Sequence, residues 1–229
     1  TRQMQGGDDL VLLPGTYVLR QFDADILQPP AGTYDDATLI SADQPGTAVL
    51  AGADNLFALI DLSGAEYVMI QGLELTNHRG AYVRDGITAT AGPCSNIILD
   101  NLHIHHLDEF GINLRDVDNL TITGCNIHHC GFGAVGGPEA QAGGWQRVDI
   151  LETNMSYSGH YYRNGEAENP YGRPDGFGIE PGPGPITFWD CVLEHNHGDG
   201  LDSKADTTIV SKTIIANNRT DGLKLWGKH

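Results

Sequence analysis

The sequence predicts an all-β fold, a right-handed single-stranded parallel β-helix, forming one domain over residues 1–229. Helical patterns are weak, because the chain holds 30 Gly and 11 Pro and no long stretch spaces apolar residues at helical intervals. A phrase centred on glycine recurs from Gly86 to Gly222 at spacings of 25, 22, 43, 24 and 22 residues. Units this short cannot bury their own apolar faces, so they must stack as successive coils.

The predicted strands occupy regular places in these coils. The first coils, about residues 1–64, begin with a strand that runs into a Pro-Gly-Thr-Tyr turn within Gly7–Leu19, and ATLISA and TAVLAG follow as later rungs. From about residue 65 to 229, each coil opens with a β-branched run of period two, the pattern of a strand with one buried face. We expect these runs to stack one core residue each: Val68, Ile97, Leu120, Val148, Ile186 and Ile209.

The spacing of 43 residues holds one coil and an insertion, about residues 159–174. A long insertion on a regular scaffold is more often functional than structural, so we expect it to form one wall of a cleft. After the last repeat the sequence runs only to His229, without a recognisable cap. An open β-helix end exposes unpaired strand edges, so we expect a missing cap or a covering partner.

The composition restricts the kind of partner. The chain carries 30 acidic and 13 basic residues, a formal net charge of −17, so its average field repels nucleic acid and anionic membranes. No stretch approaches the roughly 18 apolar residues of a membrane span. An acidic polymer as substrate would therefore require a cation as intermediary.

The four cysteines lack the paired spacing of a zinc site, and we expect free thiols packed in the core. Cys125 and Cys191 fall at the same position of their repeats, with Thr153 in the coil between them. Two rungs correspond to about 9.6 Å. This exceeds the roughly 7 Å limit on the Cα separation of a disulfide, so no bond is expected between the two.

Aligning the last three repeats on their glycines places equivalent residues on adjacent rungs and gives three columns. The first column holds the aspartates just before the glycine, and the second and third columns, further along the strand, face outward together. In order they are Asp175, Asp199 and Asp221; Gly178, Asp202 and Lys224; and Glu180, Lys204 and Trp226.

Carboxylates stacked at strand spacing raise one another's pKa unless a cation compensates. Calcium takes several carboxylate oxygens, so we predict a Ca²⁺ site at Asp175, Asp199 and Asp202, with Asp221 as a further ligand. Asp-Gly is also ordinary turn chemistry, but Asp202 lies in a strand, where aspartate is disfavoured. A dication near Lys224 would lower the pKa of its amine and free it to act as a base. The alternative is a surface ion pair with Asp202, which would contribute little.

A second polar cluster is made of histidines on two earlier coils. Such a cluster suggests a metal at first sight. Polar side chains stacked in a β-helix usually hydrogen-bond one another and the backbone, and this is the interpretation that the sequence favours. The cluster contains His103, His105, His106, His128 and His129.

From about Tyr67 onward, and most clearly over residues 175–227, the repeats resemble the right-handed β-helix pectate lyases, in particular polysaccharide lyase family nine. That family carries an aspartate one coil ahead of an Asn-x-Asp-Asp-Gly-Phe-Asp phrase, which together hold calcium. A later Asn-Gly-Phe-Lys-Leu-Gly phrase supplies the lysine base. The matching stretches here are DGFGIE with Asp175, NHGDGLD with Asp199 and Asp202, and DGLKLWG with Lys224.

The chain departs from the family pattern at three points. Gly198 stands where the family has the first aspartate of its doublet, so one ligand is missing or comes from elsewhere, such as Asp221. Trp226 replaces a small residue and offers a stacking platform for a sugar. Lys224 follows the aspartates by a single coil, closer than the family pattern leads one to expect.

The resemblance implies a secreted, calcium-dependent lyase for a pectate-like acidic polysaccharide, which we expect to be a monomer. Calcium on the C6 carboxylate would spread the charge formed when Lys224 removes the C5 proton, and β-elimination of the C4 oxygen would follow. The residues expected to bind substrate are Lys204, Arg115, Trp226 and Arg219.

Other functions stay open. A glycoside hydrolase on this scaffold would use Asp175, Asp199 and Asp202 and no lysine, although the sequence lacks the Gly-His-Gly and Arg-x-Lys phrases of β-helix polygalacturonases. A uronate epimerase or another lyase family shares the removal of the C5 proton. In a noncatalytic carbohydrate-binding or structural β-helix, the same columns would be solvated faces only.

Overall fold

The structure is a computed structural model that describes residues 3–228, and in it each regular coil gives one strand to each of three parallel sheets. Sheet A contains β1 (Asp9–Leu12), β3 (Thr38–Ala42), β6 (Glu66–Gln71), β9 (Cys94–Asp100), β12 (Val117–Thr123), β15 (Trp145–Leu151), β18 (Gly184–Trp189) and β21 (Thr208–Ser211). Sheet B contains β2 (Gly15–Leu19), β4 (Ala48–Gly52), β7 (Leu73–Asn77), β10 (His103–Leu107), β13 (Asn126–Cys130), β16 (Asn154–Ser156), β19 (Val192–Glu194) and β22 (Ile214–Ala216). Sheet C contains β5 (Leu56–Asp61), β8 (Val83–Ala89), β11 (Phe110–Leu114), β14 (Gly133–Gly137), β17 (Asp175–Gly182), β20 (Leu201–Ala205) and β23 (Leu223–Leu225).

This strand order confirms the predicted parallel β-helix. Successive strands pass from sheet A to B to C and back to A, and the named neighbours in each sheet pair in parallel. Helix within residues 3–228 is confined to α1 (Phe22–Asp25) and a short 3-10 turn (Arg163–Gly165). No helix in that range is long and apolar enough to cross a membrane.

The core column predicted on sheet A is present over five coils. Its members pair in register on β6, β9, β12, β15 and β18, and each is buried in the hydrophobic core. Alternation along the strands turns the intervening residues outward, as period two requires. The five buried residues are Val68, Ile97, Leu120, Val148 and Ile186.

The prediction that Ile209 is the sixth core residue of this column is wrong. Ile186 pairs with Thr208, while Ile209 pairs with Thr187 on the outer face and is 50% exposed. A shift of one residue moves a side chain to the other face of a strand. Thr208, which takes the place next to Ile186, forms a hydrogen bond of 2.8 Å between its hydroxyl and Ser203 Oγ.

The cysteines follow the prediction. All four are free and buried. Thr153 lies between Cys125 and Cys191, since its Oγ1 accepts the Cys125 N–H and its carbonyl accepts the N–H of Val192, the neighbour of Cys191. The two thiols are therefore separated by one whole coil.

The insertion between β16 and β17 is pinned to the body of the β-helix. The carboxylate of Asp108, which is buried, accepts the N–H of Arg163 at 2.6 Å. The side-chain amide of Asn169 donates to the carbonyl of Gly131 at 2.9 Å. These bonds hold residues 159–174 against the side of the coils near sheet C.

Candidate functional site

The second predicted column lies on the outer face of sheet C, on strands β17, β20 and β23, and Asp199 and Asp221 lie just before β20 and β23. Gly178 pairs with Asp202, and Asp202 pairs with Lys224, as the aligned repeats predict. Phe177 and Leu201 alternate with these residues and are buried in the core. The repeated phrase therefore sets Asp202 and Lys224 on neighbouring rungs of one surface.

Asp199 is the buried centre of this surface, with 2% of its side chain exposed. Its Oδ2 accepts a hydrogen bond of 2.6 Å from Lys224 Nζ, and its Oδ1 accepts the Asp221 N–H at 2.8 Å and the Thr220 hydroxyl. Burial alone would raise the pKa of Asp199, but these hydrogen bonds, led by that from Lys224, hold it below its ordinary value. The Asp199 carboxylate is thus ionised and fixed in place.

Asp175, one rung earlier, shows the opposite shift. Burial raises its pKa to about 6, and the negative charges of Asp199 and Asp202 add to the rise. The Asp199 N–H, which donates to Asp175 Oδ1 at 2.7 Å, offsets only part of it. A cation bound beside Asp175 would relieve this unfavourable ionisation.

Three of the four predicted calcium ligands converge. Asp175, Asp199 and Asp202 each offer a carboxylate oxygen, and these oxygens lie within 4.8 Å of one another. Because Ca²⁺ binds oxygen at roughly 2.3–2.6 Å, oxygens on one ion are separated by up to about 5 Å. The three carboxylates therefore fit a shared calcium ion. Asp221 stands apart, since its side chain is 61% exposed and lies 3.1 Å from Lys224 Nζ.

Lys224 is held between two carboxylates, those of Asp199 and Asp221. The hydrogen bonds to Asp199 and Asp221 raise the pKa of Lys224 above its ordinary value. The side chain is therefore an ammonium ion. The sequence predicted the opposite direction, a pKa lowered by a nearby dication, and the two carboxylates account for the rise.

A groove of about 240 Å³ opens beside the carboxylates. Charged residues of both signs line it. The acidic ones are Asp175, Glu180 and Asp202, and the basic ones are Arg173 and Lys204. Lys204 Nζ donates to Glu180 Oε1 at 2.5 Å, so these two residues of the third predicted column form an ion pair in the groove.

One wall of the groove is aromatic. Phe110 and Phe132 line it with ring centroids 4.7 Å apart, and Tyr171 of the insertion stacks on Phe132 at 4.3 Å. Phe110 pairs with Gly133, and any Cβ on Gly136 would collide with the Phe110 ring. The insertion contributes to this wall, which is the position expected for it.

A family model agrees with the architecture. The model described as right handed beta helix region matches residues 53–228. The chain belongs to the right-handed β-helix family. No curated protein matches the sequence.

Solved structures share the fold of this β-helix protein at low sequence identity. An alginate lyase from Paenibacillus sp. str. FPU-7 is 15% identical with a TM-score of 0.72, over 93% of this chain and 70% of that one. Pectate lyase Pel9A is 15% identical with a TM-score of 0.60, over 98% and 70%. The A-module of mannuronan C-5 epimerase AlgE6 from Azotobacter vinelandii is 13% identical with a TM-score of 0.51, over 93% and 69%. These likenesses confirm the predicted fold, a right-handed β-helix like that of polysaccharide lyases.

Three of the residues expected to bind substrate do not line the groove of the β-helix. Trp226 is 62% exposed and donates its Nε1–H to Asp202 Oδ1 at 2.6 Å, so it positions one of the carboxylates. Arg115 follows β11 and donates to the Thr90 carbonyl at 2.7 Å. Arg219 is exposed in the turn before β23. Lys204 alone of the predicted four reaches the groove lining.

The structure explains why Gly198 replaces an aspartate of the family pattern. A Cβ at this position would collide with Asp175 Oδ1 and lie 2.8 Å from the carbonyl carbons of Arg173 and Pro174. The end of the insertion thus occupies the space that a ligand side chain would need. Asp221, the substitute suggested by the sequence, contacts Lys224 instead.

Sequence reasoning missed several residues of the site. Thr220 donates to Asp199, and the only sign of this in the sequence is its position immediately before the last Asp-Gly phrase. Arg173 reaches the groove from the insertion, whose conformation has no repeat to predict it. Phe110 and Phe132 each precede the glycine of the repeated phrase, at the position where the later repeats have aspartate. This exchange of aspartate for phenylalanine was the signal in the sequence.

Proposed function

We propose that this protein is a calcium-dependent polysaccharide lyase that cleaves a uronate-containing polymer by β-elimination, with Lys224 as the base. The ion pair between Lys224 and Asp199 carries the proposal, because it joins the one lysine of the second column to the group of three carboxylates. Lyases and an epimerase of uronate polymers share the fold, which supports this class of reaction.

Asp175, Asp199 and Asp202 would hold the calcium ion. When bound, the ion supplies positive charge to the C6 carboxylate of the sugar and so lowers the cost of the negative charge that forms when the C5 proton leaves. Trp226 keeps Asp202 oriented through its Nε1–H, and the Asp199 N–H does the same for Asp175. The chain thus presents its carboxylates already ordered.

Lys224 must lose a proton before it can act as a base. Asp199 belongs both to the carboxylate group and to the ion pair, so a cation held there would lower the pKa of Lys224 by taking up the charge that raises it. The neutral amine then takes the C5 proton of the uronate. The electron pair of the C5–H bond forms the C4–C5 double bond, the C4–O bond breaks, and the departing oxygen takes a proton from water.

The groove offers contacts for neighbouring sugars of the chain. Lys204 and Arg173 supply positive charge for uronate carboxylates, and the aromatic wall at Phe132 supplies an apolar face for a ring. Arg115 and Arg219, which lie outside the groove, stay predictions for more distant sugars. We also expect a secreted monomer, in keeping with an acidic polymer as substrate.

The geometry favours a lyase over a glycoside hydrolase. A hydrolase requires two reachable carboxyl groups, separated by roughly 5 Å in retaining and 6.5–9.5 Å in inverting enzymes. The raised pKa of Asp175 would suit an acid. Asp199 is buried and held by Lys224 and Thr220, which suits a fixed metal ligand better than the nucleophile or base of a hydrolase.

The test is the ultraviolet absorbance of an unsaturated uronide after incubation with polygalacturonate or alginate, with calcium and with chelator. We expect absorbance to rise with one polymer in calcium and to stay flat in chelator. Reducing ends without absorbance would indicate a hydrolase. Exchange of the C5 proton without chain cleavage would indicate an epimerase, and no reaction on either polymer under any condition would contradict the proposal.

A further inference from the structure

A cluster of imidazoles lies on the outer face of sheet B, away from the carboxylates of sheet C. His103 and His105 stand on β10, with Glu74 on the strand before and His128 on the strand after. Ile104, which alternates with the two histidines, is fully buried, so the polar side chains share the outer face. Three successive coils therefore contribute to one patch.

The donor atoms of this patch converge. His105 Nε2 lies 3.3 Å from Glu74 Oε1, and His103 Nε2 lies 2.9 Å from His128 Nε2. One donor atom from each of Glu74, His103 and His105 lies within 4.8 Å of the other two. A tetrahedral Zn²⁺ with ligand bonds of roughly 2.0–2.2 Å has ligand atoms about 3.3–3.5 Å apart. The separation of 3.3 Å between His105 and Glu74 matches that value, and the 2.9 Å between His103 and His128 is slightly shorter.

The ring orientations also suit a metal. His105 Nδ1 lies 2.7 Å from His106 Nδ1, and His128 Nδ1 lies 2.8 Å from His129 Nδ1. Metal-bound histidines commonly engage their second ring nitrogen in this way, which fixes the tautomer and the ring plane. The Nε2 atoms of His105 and His128 are then free to face Glu74 and His103.

The ligand types of the patch indicate which metal it would take. Three imidazoles and one carboxylate suit zinc and similar late divalent ions, whereas calcium prefers oxygen ligands alone.

We propose that Glu74, His103, His105 and His128 form a site for one Zn²⁺ or a similar transition-metal ion, which cross-links three coils of the β-helix. The sequence favoured a stack held by hydrogen bonds alone. The structure changes this preference, because a carboxylate and two imidazole nitrogens from two adjacent strands meet at one point. The site is independent of the lyase proposal, since it lies on another sheet and uses other residues.

The test is a calorimetric titration of the chelator-treated protein with Zn²⁺, in excess Ca²⁺ to occupy the carboxylates of sheet C. We expect one Zn²⁺ per chain and a rise in the melting temperature, because an ion that binds only the folded state stabilises it. Replacement of Zn²⁺ by Co²⁺ should give the visible absorption bands of a tetrahedral site.

Matched variants make the result decisive. Loss of outer partners alone usually weakens metal binding 10- to 100-fold, so the double change His103→Ala and His105→Ala should weaken Zn²⁺ binding by more than about 100-fold. Glu74→Gln keeps the size of the side chain and should weaken binding while leaving the metal-free fold unchanged by circular dichroism. His195→Ala, which removes a histidine 3.7 Å from Glu194 on the same sheet, should bind Zn²⁺ as the parent does. Equal Zn²⁺ binding by the parent and the double variant, or no binding by the parent, would overturn the proposal in favour of a hydrogen-bonded stack.

Discussion

Lys224 Nζ and Asp199 Oδ2 lie 2.6 Å apart on neighbouring coils of sheet C, one at the surface and the other almost fully buried. Asp199 also offers an oxygen to the group formed with Asp175 and Asp202. Hydrogen bonds to Asp199 and Asp221 raise the pKa of Lys224. A cation that took up the charge of Asp199 would lower it, so under the proposed function the pair would link cation binding to the proton on Lys224.

Calcium binding is expected to depend on Asp199 and Asp202. Asp202→Ala should weaken calcium binding measured by calorimetry, with little effect on the metal-free protein. Asp199→Ala should abolish binding and also lower the free energy of unfolding by about 1–3 kcal/mol, because it removes the acceptor of the hydrogen bonds from Lys224, Thr220 and the Asp221 N–H. Asp206→Ala removes the same charge from an exposed pair with Lys228 and serves as the control. If both site variants take up calcium as the parent does, the site lies elsewhere.

Asp175 should make the metal-free protein less stable as the pH rises from about 4 to 6. Its pKa is about 6 in the folded protein against the ordinary 3.8. Between these values the folded state binds more protons than the unfolded state, so the free energy of unfolding falls with rising pH.

The variant Asp175→Asn isolates this effect, since its Oδ1 still accepts the Asp199 N–H but cannot titrate. In chelator, the gain in stability of Asp175→Asn over the parent should grow between pH 4 and 6, towards about 3 kcal/mol at most. Urea unfolding at several pH values measures it. Added calcium should reduce the gain, because the ion stabilises the ionised parent. A gain that is independent of pH would show that Asp175 ionises normally.

Gly198 is expected to be essential for the packing of the insertion. Gly198→Ala places a methyl group against Asp175 and the backbone of Arg173, and it should lower the free energy of unfolding by about 1–3 kcal/mol. Gly172→Ala is the matched control, because a Cβ there meets no atom within 4 Å. Equal thermal stability of the two variants would contradict the packing seen around Gly198.

The fold was predictable because a β-helix repeats its local pattern in every coil. The glycine spacing and the period-two runs fixed which residues stack, and the register of Asp202 with Lys224 followed from them. The prediction failed at Ile209, where a run of β-branched residues offers two registers one residue apart. In the observed register Thr208, rather than Ile209, pairs with Ile186, and its hydroxyl contacts Ser203 Oγ, a contact that sequence patterns do not reveal.

The site was predictable only where it lies on the repeat. Asp175, Asp199 and Asp202 converge because equivalent positions of successive coils stack, which the alignment captures. The stacking of Tyr171 on Phe132 and the position of Arg173 in the groove depend on the folding of an insertion that has no counterpart in other coils. The direction of the Lys224 pKa shift depends on distances to carboxylates, and an alignment does not supply these.

The variant Lys224→Arg separates a base from a structural cation. Lys224→Ala alone is ambiguous, because it strands the buried Asp199 carboxylate without its ion-pair partner. Arginine retains the positive charge for Asp199 but stays protonated near neutral pH, so it is a poor base. Lys204→Ala serves as a control in the groove and should lower substrate affinity more than turnover.

The most direct measurement is the initial rate of ultraviolet absorbance increase on the preferred polymer at saturating calcium, for the parent and for Lys224→Arg. Loss of a general base should reduce turnover by about 10²- to 10⁴-fold, while the melting temperature and calcium affinity of the variant stay close to those of the parent. A variant that folds, binds calcium and turns over at the parental rate would contradict the role of Lys224 as the base.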